Sequence, residues 1–96
     1  MTPTILAVED EPAIRELLKV NLADAGYDVR TAEDAETARR MLDGELPDLL
    51  LLDWMLPGLS GLALAKQLRA DARTRDLPII MVTARGEEAD RVAGLE

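Results

Sequence analysis

Three carboxylates and one hydroxyl stand at the ends of short apolar runs in the sequence. Glu9 and Asp10 follow TILAV, Asp53 ends DLLLLD, and Thr83 ends IIMVT. Ligands of open α/β sheets bind at the carboxyl ends of the strands. Neighbouring strands lie about 4.8 Å apart. If the runs are neighbouring parallel strands, these side chains therefore share one crevice. Negative groups that lie so close repel one another, and a divalent ion relieves this repulsion.

The chemistry that this set favours is phosphoryl binding beside Mg²⁺, which takes few carboxylates and shares phosphate oxygens readily. Asp53 is the expected nucleophile, because a carboxylate needs no general base and can form an acyl phosphate. The hydroxyl of Thr83 would donate to a phosphoryl oxygen, and the small residues Ala84 and Gly86 leave room for an incoming group. Asp53 alone would fit an ordinary strand-end carboxylate, and Thr is common in strands.

The elements that must position these residues alternate along the chain. Strands are predicted at Thr4–Val8, Tyr27–Thr31, Asp48–Asp53 and Pro78–Thr83. Helical spacing predicts helices between Pro12 and Gly26, between Asp34 and Gly44, from Ser60 towards Ala72, and from about Glu87 to the last residue. This alternation is typical of a parallel sheet covered by helices. Runs that are apolar on both faces predict central strands, whereas YDVRT alternates as an edge strand does.

The polar and turn-forming segments are interpreted as structural. LRADARTRDLP is predicted to be a surface loop. Pro57, Gly58 and Gly61 suit a turn and a helix start rather than a phosphate cradle, because no GxxxxGK[ST] motif accompanies them.

Composition excludes several kinds of function. The 19 acidic and 11 basic residues give a net charge of −8, which disfavours binding of nucleic acid or anionic lipid by this segment. The sequence has no Cys and no His, so any metal must be held by oxygen. The apolar runs are too short to cross a bilayer and no basic leader opens the sequence, which predicts a cytoplasmic protein with no membrane partner.

Three motifs, VEDEP, LLLLDWMLPGLSG and IIMVTARGEEADRVAGLE, resemble the receiver domain of two-component response regulators when taken in that order. The resemblance covers all 96 residues and is greatest to the phosphate-regulon regulators of the winged-helix transcription-factor subfamily. It implies a flavodoxin-like, doubly wound parallel sheet of order 2-1-3-4, without the family's fifth strand and helix. Residues 1–96 are therefore interpreted as one receiver domain that is incomplete at its C-terminus.

The resemblance implies a role for each matching residue. Asp53 would be the phosphorylation site, and Thr83, with Ala84 beside it, would be the switch hydroxyl that contacts the phosphoryl group. The ligands of Mg²⁺ would be Asp10, Asp53, the backbone carbonyl of Met55 and, directly or through water, Glu9. The family's phosphate-contacting Lys and switch aromatic have no counterpart in this sequence, so Mg²⁺ is expected to bind but phosphorylation and the conformational response are expected to be impaired.

The implied protein is a signalling switch rather than an enzyme, although it would promote its own phosphorylation and dephosphorylation. The phosphoryl donor would be a sensor histidine kinase, and DNA would be reached only through an output domain outside this sequence. GEEADR corresponds to a helix that helps form the subfamily's homodimer, although its composition alone suggests a solvated helix face. Without a fifth strand, IIMVT would be an exposed edge that favours weak stability or self-association.

Three other functions compete with this interpretation. A haloacid-dehalogenase-like phosphatase also has a nucleophilic Asp after an apolar strand, but it requires a second Asp where this chain has Met55. A nucleotide hydrolase would use LLLLD as its Walker B strand and would need a P-loop. An inert binding module on the same fold differs from a receiver in one testable respect, since it would not be phosphorylated on Asp53.

Overall fold

Parallel strands and helices alternate in the part of the chain that the computed structural model describes, residues 2–56 and 58–82. The elements are β1 Thr4–Val8, α1 Pro12–Asp24, β2 Asp28–Ala32, α2 Ala35–Gly44, β3 Leu49–Asp53, α3 Gly61–Ala70 and β4 Ile79–Val82. The strands form one parallel sheet of order β2-β1-β3-β4, which confirms the predicted fold class and strand order. Predictions for Pro57, Thr83, Ala84, Gly86 and the helix from Glu87 lie outside the described residues.

Alternating residues of the central strands enter two separate cores, one on each face of the sheet. Leu6 of β1 and Leu50 of β3 join the larger core together with residues of α2 and α3. Ile5 of β1 and Leu51 of β3 join the smaller core, against which Leu18 and Leu22 of α1 pack. β1 and β3 occupy the centre of the sheet and are therefore buried on both faces. Their carboxyl ends lie side by side and can carry a site.

Local signals fix where the helices begin and end. Pro12 opens α1 and Gly26, with φ 100°, follows its end. The side chain of Asp34 accepts a hydrogen bond from the Thr37 N–H at 2.7 Å, and Ser60 Oγ accepts from the Ala63 N–H at 3.1 Å. These N-caps agree with the predicted starts of α2 and α3. No helix within the described residues is both long enough and apolar enough to pass through a membrane.

Several predicted boundaries are wrong by one or two residues. Tyr27 was expected in β2, but its N–H donates to the Leu22 carbonyl at 3.1 Å, which ties it to the end of α1. β2 instead begins at Asp28, whose partner in β1 is Thr4. β3 and β4 each begin one residue later than expected, and α3 ends at Ala70 rather than Ala72. Gly44 is the last residue of α2 and not a residue beyond its end.

The polar segment between α3 and β4 is more firmly held than a surface loop. Thr74 is only 3% exposed, and its hydroxyl donates to the Leu68 carbonyl at 2.6 Å. Arg73 Nη1 donates to the Leu42 carbonyl at 2.5 Å, at the end of α2. Leu77 is also buried. The segment therefore joins the ends of α2 and α3, which its polar composition did not indicate.

Candidate metal centre

The strand register brings the carboxylates of the first and third strands together. β1 pairs with β3 so that Val8 lies opposite Leu52, and the next residues, Glu9 and Asp53, stand at the same edge of the sheet. Carboxylate oxygens of Glu9, Asp10 and Asp53 all lie within 4.8 Å of one another. The order of the strands and carboxylates in the sequence predicts this convergence, which follows directly from the parallel pairing of β1 and β3.

The three carboxylates differ in their contact with solvent. Glu9 is 4% exposed and Asp53 is 7% exposed, whereas Asp10 is an exposed residue. Two acidic groups therefore form the floor of the site and the third forms its solvent-facing rim. A small ion or anion can approach from the side of Asp10, while the burial of the other two groups strengthens their interactions with whatever binds.

Backbone groups orient the two buried carboxylates. The Glu11 N–H donates to Glu9 Oε2 at 3.0 Å, and the Met55 N–H donates to Asp53 Oδ1 at 3.2 Å. The Glu9 N–H is itself bound to the Ala32 carbonyl at 3.0 Å, which anchors the end of β1 to β2. The side chains are thus held from their own segments and retain further oxygen lone pairs for a ligand.

Burial and mutual repulsion favour the protonated form of the buried acids. Desolvation raises the pKa of Glu9 from 4.5 to about 7, with further increases from the charges of Asp53 and Asp10, while the Glu11 N–H opposes the change. Desolvation is also the main reason why the pKa of Asp53 is raised, against the lowering effect of the Met55 N–H. Interaction between the two side chains adds to the increase in the pKa of Glu9 and opposes the increase in the pKa of Asp53.

The donor set fits a hard divalent cation. The clustered donors of Glu9, Asp10 and Asp53 are carboxylate oxygens, and oxygen is the ligand type that Mg²⁺ and Ca²⁺ prefer. Burial and, to a smaller extent, neighbouring negative charge raise the pKa of these acids, so ionising them without a counterion costs free energy. A bound cation would remove that cost, and Mg²⁺ would leave coordination positions for water or a phosphate oxygen.

Other residues named from the sequence have mixed positions. Met55 lies two residues after Asp53, with its backbone beside the carboxylate and its side chain 48% exposed. Thr83 and Ala84 lie outside the described residues. Sequence reasoning missed Arg15, whose guanidinium contacts the acidic segment from α1. Its only signal was an arginine one helical turn after VEDEP, and no motif marks such a contact.

Comparison with known proteins places this geometry among response regulators. The family described as response regulator receiver domain matches residues 5–96. The phosphate regulon transcriptional regulatory protein PhoB of Pseudomonas aeruginosa is 52% identical over 93 residues, covering 97% of this chain and 41% of PhoB. PhoB of Escherichia coli K12 is 51% identical over 96 residues, covering all of this chain and 42% of PhoB. The chain therefore spans about two fifths of these relatives.

Solved structures agree with the sequence comparisons. The chemotaxis response regulator CheY4 of Vibrio cholerae has a TM-score of 0.86 at 28% identity, covering 99% of this chain and 79% of CheY4. The response regulator TrrA of Thermotoga maritima, solved in complex with Mg²⁺ and BeF, has a TM-score of 0.84 at 39% identity. That match covers 99% of this chain and 80% of TrrA. The similarity thus extends over nearly the whole sequence.

Proposed function

Because the chain belongs to the response regulator receiver domain family, we propose that residues 1–96 form a receiver unit that accepts a phosphoryl group on Asp53. The observation that carries the proposal is the convergence of Asp53 with Glu9 and Asp10 at the carboxyl edge of the sheet. The donor would be a phosphohistidine of a sensor histidine kinase. This makes the chain a signalling switch rather than an enzyme with a separate substrate.

The proposed transfer forms one bond and breaks another. A carboxylate oxygen of Asp53 attacks phosphorus, the new P–O bond gives an acyl phosphate, and the P–N bond to the donor imidazole breaks. The imidazole nitrogen keeps the electron pair of the broken bond and takes a proton from solvent. Asp53 must be ionised to attack; burial raises its pKa, and the Met55 N–H and the Glu9 side chain oppose that increase and so favour the ionised state.

We assign a Mg²⁺ site to Asp10, Asp53, Glu9 and the backbone carbonyl of Met55. When bound, Mg²⁺ would neutralise charge on the acidic cluster and on the phosphoryl oxygens. The exposed position of Asp10 and the buried positions of Glu9 and Asp53 suit a cation that enters from solvent. TrrA, solved with Mg²⁺ and BeF, gives this assignment independent support.

The response to phosphorylation would begin with residues outside the described part of the chain. Thr83 would move its hydroxyl towards the phosphoryl group, and Ala84 would leave space for it. Relatives such as PhoB are transcriptional regulatory proteins, and this chain covers only 41% of the Pseudomonas protein. The output would accordingly be a DNA-binding domain that regulates transcription, with a homodimer as the active form.

Phosphorylation by acetyl phosphate tests the proposal. Intact-mass and peptide mass spectrometry should show one added phosphoryl group on Asp53, present with Mg²⁺ and lost with EDTA. Asp53→Asn should abolish it. Asp48→Asn is the matched control, because Asp48 immediately precedes β3, at the end opposite to Asp53, where it accepts a hydrogen bond from the Thr4 N–H. Absence of labelling in the unaltered chain would favour the inert binding module instead.

A further inference from the structure

The guanidinium of Arg15 lies against the backbone of the acidic segment. Arg15 is in the first turn of α1, and its Nη1 donates to the Glu9 carbonyl at 2.9 Å and to the Asp10 carbonyl at 3.4 Å. One nitrogen therefore contacts two consecutive carbonyls of the segment that carries two of the three clustered carboxylates. The side chain is half-buried, which restricts its movement.

Arg15 contacts the part of this segment that its other hydrogen bonds do not hold. The Glu9 N–H is bound to Ala32 of β2, and Glu9 Oε2 accepts from the Glu11 N–H. Those bonds fix Glu9 itself. The exposed residue Asp10 comes after the last residue of β1, where the strand ladder no longer holds it, and Arg15 connects its backbone to α1. The backbone of Asp10 is thus tied to α1.

Among residues 2–56 and 58–82, no carboxylate forms an ion pair with Arg15. The ion pair that this part of the structure contains joins Arg30, in the middle of the edge strand β2, to Glu45. A guanidinium paired with Asp10 would compete with a metal ion for the same oxygens. Because Arg15 binds carbonyls instead, it can order the acidic segment while all three carboxylates remain available to a cation.

We propose that Arg15 is a positioning residue that holds the acidic segment in the geometry required by a small divalent ion, and that it thereby favours Mg²⁺ over Ca²⁺. The inference rests on the proposed function. Mg²⁺ demands a near-octahedral arrangement of oxygens at about 2.0–2.1 Å, whereas Ca²⁺ accepts irregular arrangements at about 2.3–2.6 Å. Loosening Asp10 should therefore weaken the binding of Mg²⁺ more than that of Ca²⁺.

Electrostatics alone predicts the opposite change in Mg²⁺ affinity when Arg15 is replaced. Arg15 places a positive charge near a cation site, so its removal should strengthen the binding of both ions if charge dominates. If positioning dominates, removal should weaken the binding of Mg²⁺. Loss of groups that orient metal ligands weakens metal binding by about 10–100-fold. The sign of the change, and its difference between the two ions, therefore separate the two effects.

The test measures dissociation constants for Mg²⁺ and for Ca²⁺ by titration of Trp54 fluorescence. Arg15→Met keeps most of the apolar stem and removes the donor. We expect its Mg²⁺ dissociation constant to rise about tenfold and its Ca²⁺ constant to rise less than about threefold. Arg15→Gln removes the charge but keeps a donor, and it should lie between Arg15→Met and the unaltered chain.

Arg69→Met is the matched control. Arg69 Nη1 also donates to two backbone carbonyls, those of Arg75 and Leu77, both at 2.7 Å, but it lies in the last turn of α3, far along the chain from the acidic segment. Its loss should lower stability and leave the ratio of the two dissociation constants unchanged. Tighter Mg²⁺ binding in Arg15→Met, or an equal change for both ions, would overturn the inference for Arg15. Failure of the unaltered chain to bind Mg²⁺ would instead overturn the proposed function and this inference together.

Discussion

Gly61 lies directly against the backbone of Asp53. A Cβ atom on Gly61 would stand 2.0 Å from the Asp53 carbonyl oxygen and 2.9 Å from the carbonyl carbon. The Gly61 N–H also donates to the Trp54 carbonyl at 3.0 Å. The first residue of α3 therefore packs directly against the backbone of the residue that we propose as the phosphoacceptor. No side chain at position 61 would fit between them.

Gly61→Ala should move the end of β3 or the start of α3. The added methyl group meets backbone atoms, which cannot rotate away as a flexible side chain can. Overpacking of this kind costs about 1–3 kcal/mol, and we expect urea denaturation to show a loss of that size. Because the displaced atoms belong to Asp53, the affinity for Mg²⁺ should fall as well.

Gly44→Ala controls for the general effect of replacing a glycine in a helix. Gly44 ends α2, and a Cβ there would meet nothing within 4 Å. Alanine at this position should leave stability unchanged or raise it by up to about 1 kcal/mol. If Gly61→Ala behaved in the same way, the close contact would have no energetic importance.

Much of the fold could be predicted from the sequence because its signals are local. Strand runs such as TILAV, N-caps such as Asp34, and the glycine that follows α1 each act within a few residues. The predicted ends of strands and helices are wrong where hydrogen bonds to other parts of the chain determine them. Tyr27 suits a strand by its type, but hydrogen bonding draws it to the end of α1.

Of the residues in the candidate site, only the carboxylates could be predicted from the sequence. Parallel strands place their carboxyl ends at one edge, so residue type and order suffice to bring Asp10 and Asp53 together. Arg15 and Gly61 act through distances to backbone atoms. No spacing rule encodes such distances, and the sequence indicates only that Gly61 belongs to a turn and helix start.

The pKa of Glu9 makes stability depend on pH. Its value is raised from 4.5 to about 7 in the folded chain, so the folded state binds more protons than the unfolded state between these values. The contribution of Glu9 to the free energy of unfolding is therefore fully present below about pH 4.5 and is lost as the pH rises through about 7. Urea denaturation at a series of pH values should show this loss in metal-free buffer.

Glu9→Gln isolates that contribution from those of the other acids. Glutamine can still accept the hydrogen bond from the Glu11 N–H but does not titrate. The difference in unfolding free energy between the unaltered chain and the variant should fall from pH 4.5 to pH 7. Mg²⁺ should oppose the fall by binding the ionised form. A difference that is independent of pH would show that Glu9 titrates normally.

The buried hydroxyl of Thr74 should contribute to stability through its bond to Leu68. Thr74→Val keeps the shape of the side chain and leaves the Leu68 carbonyl without this donor. The Leu68 carbonyl still accepts from the Asp71 N–H at 3.3 Å, so we expect a loss of about 0.5–1.5 kcal/mol in the free energy of unfolding, the net contribution of one hydrogen bond. Thr31→Val, in the edge strand β2, is the matched control and should change stability by less than about 0.5 kcal/mol. Equal effects of the two changes would show that the hydrogen bond contributes little.

Ile80 should promote self-association of the chain through β4. It is 47% exposed, and within residues 2–56 and 58–82 β4 pairs with β3 on one side and with no strand on the other. Sedimentation velocity should show association that increases with protein concentration. Ile80→Lys should reduce it, because a lysine on an edge strand opposes pairing with another chain. Leu17→Lys is the control, since Leu17 is 60% exposed but lies on α1, where no strand edge is available. A compact monomer at all concentrations would contradict association through β4, and equal effects of the two lysines would indicate a general gain in solubility.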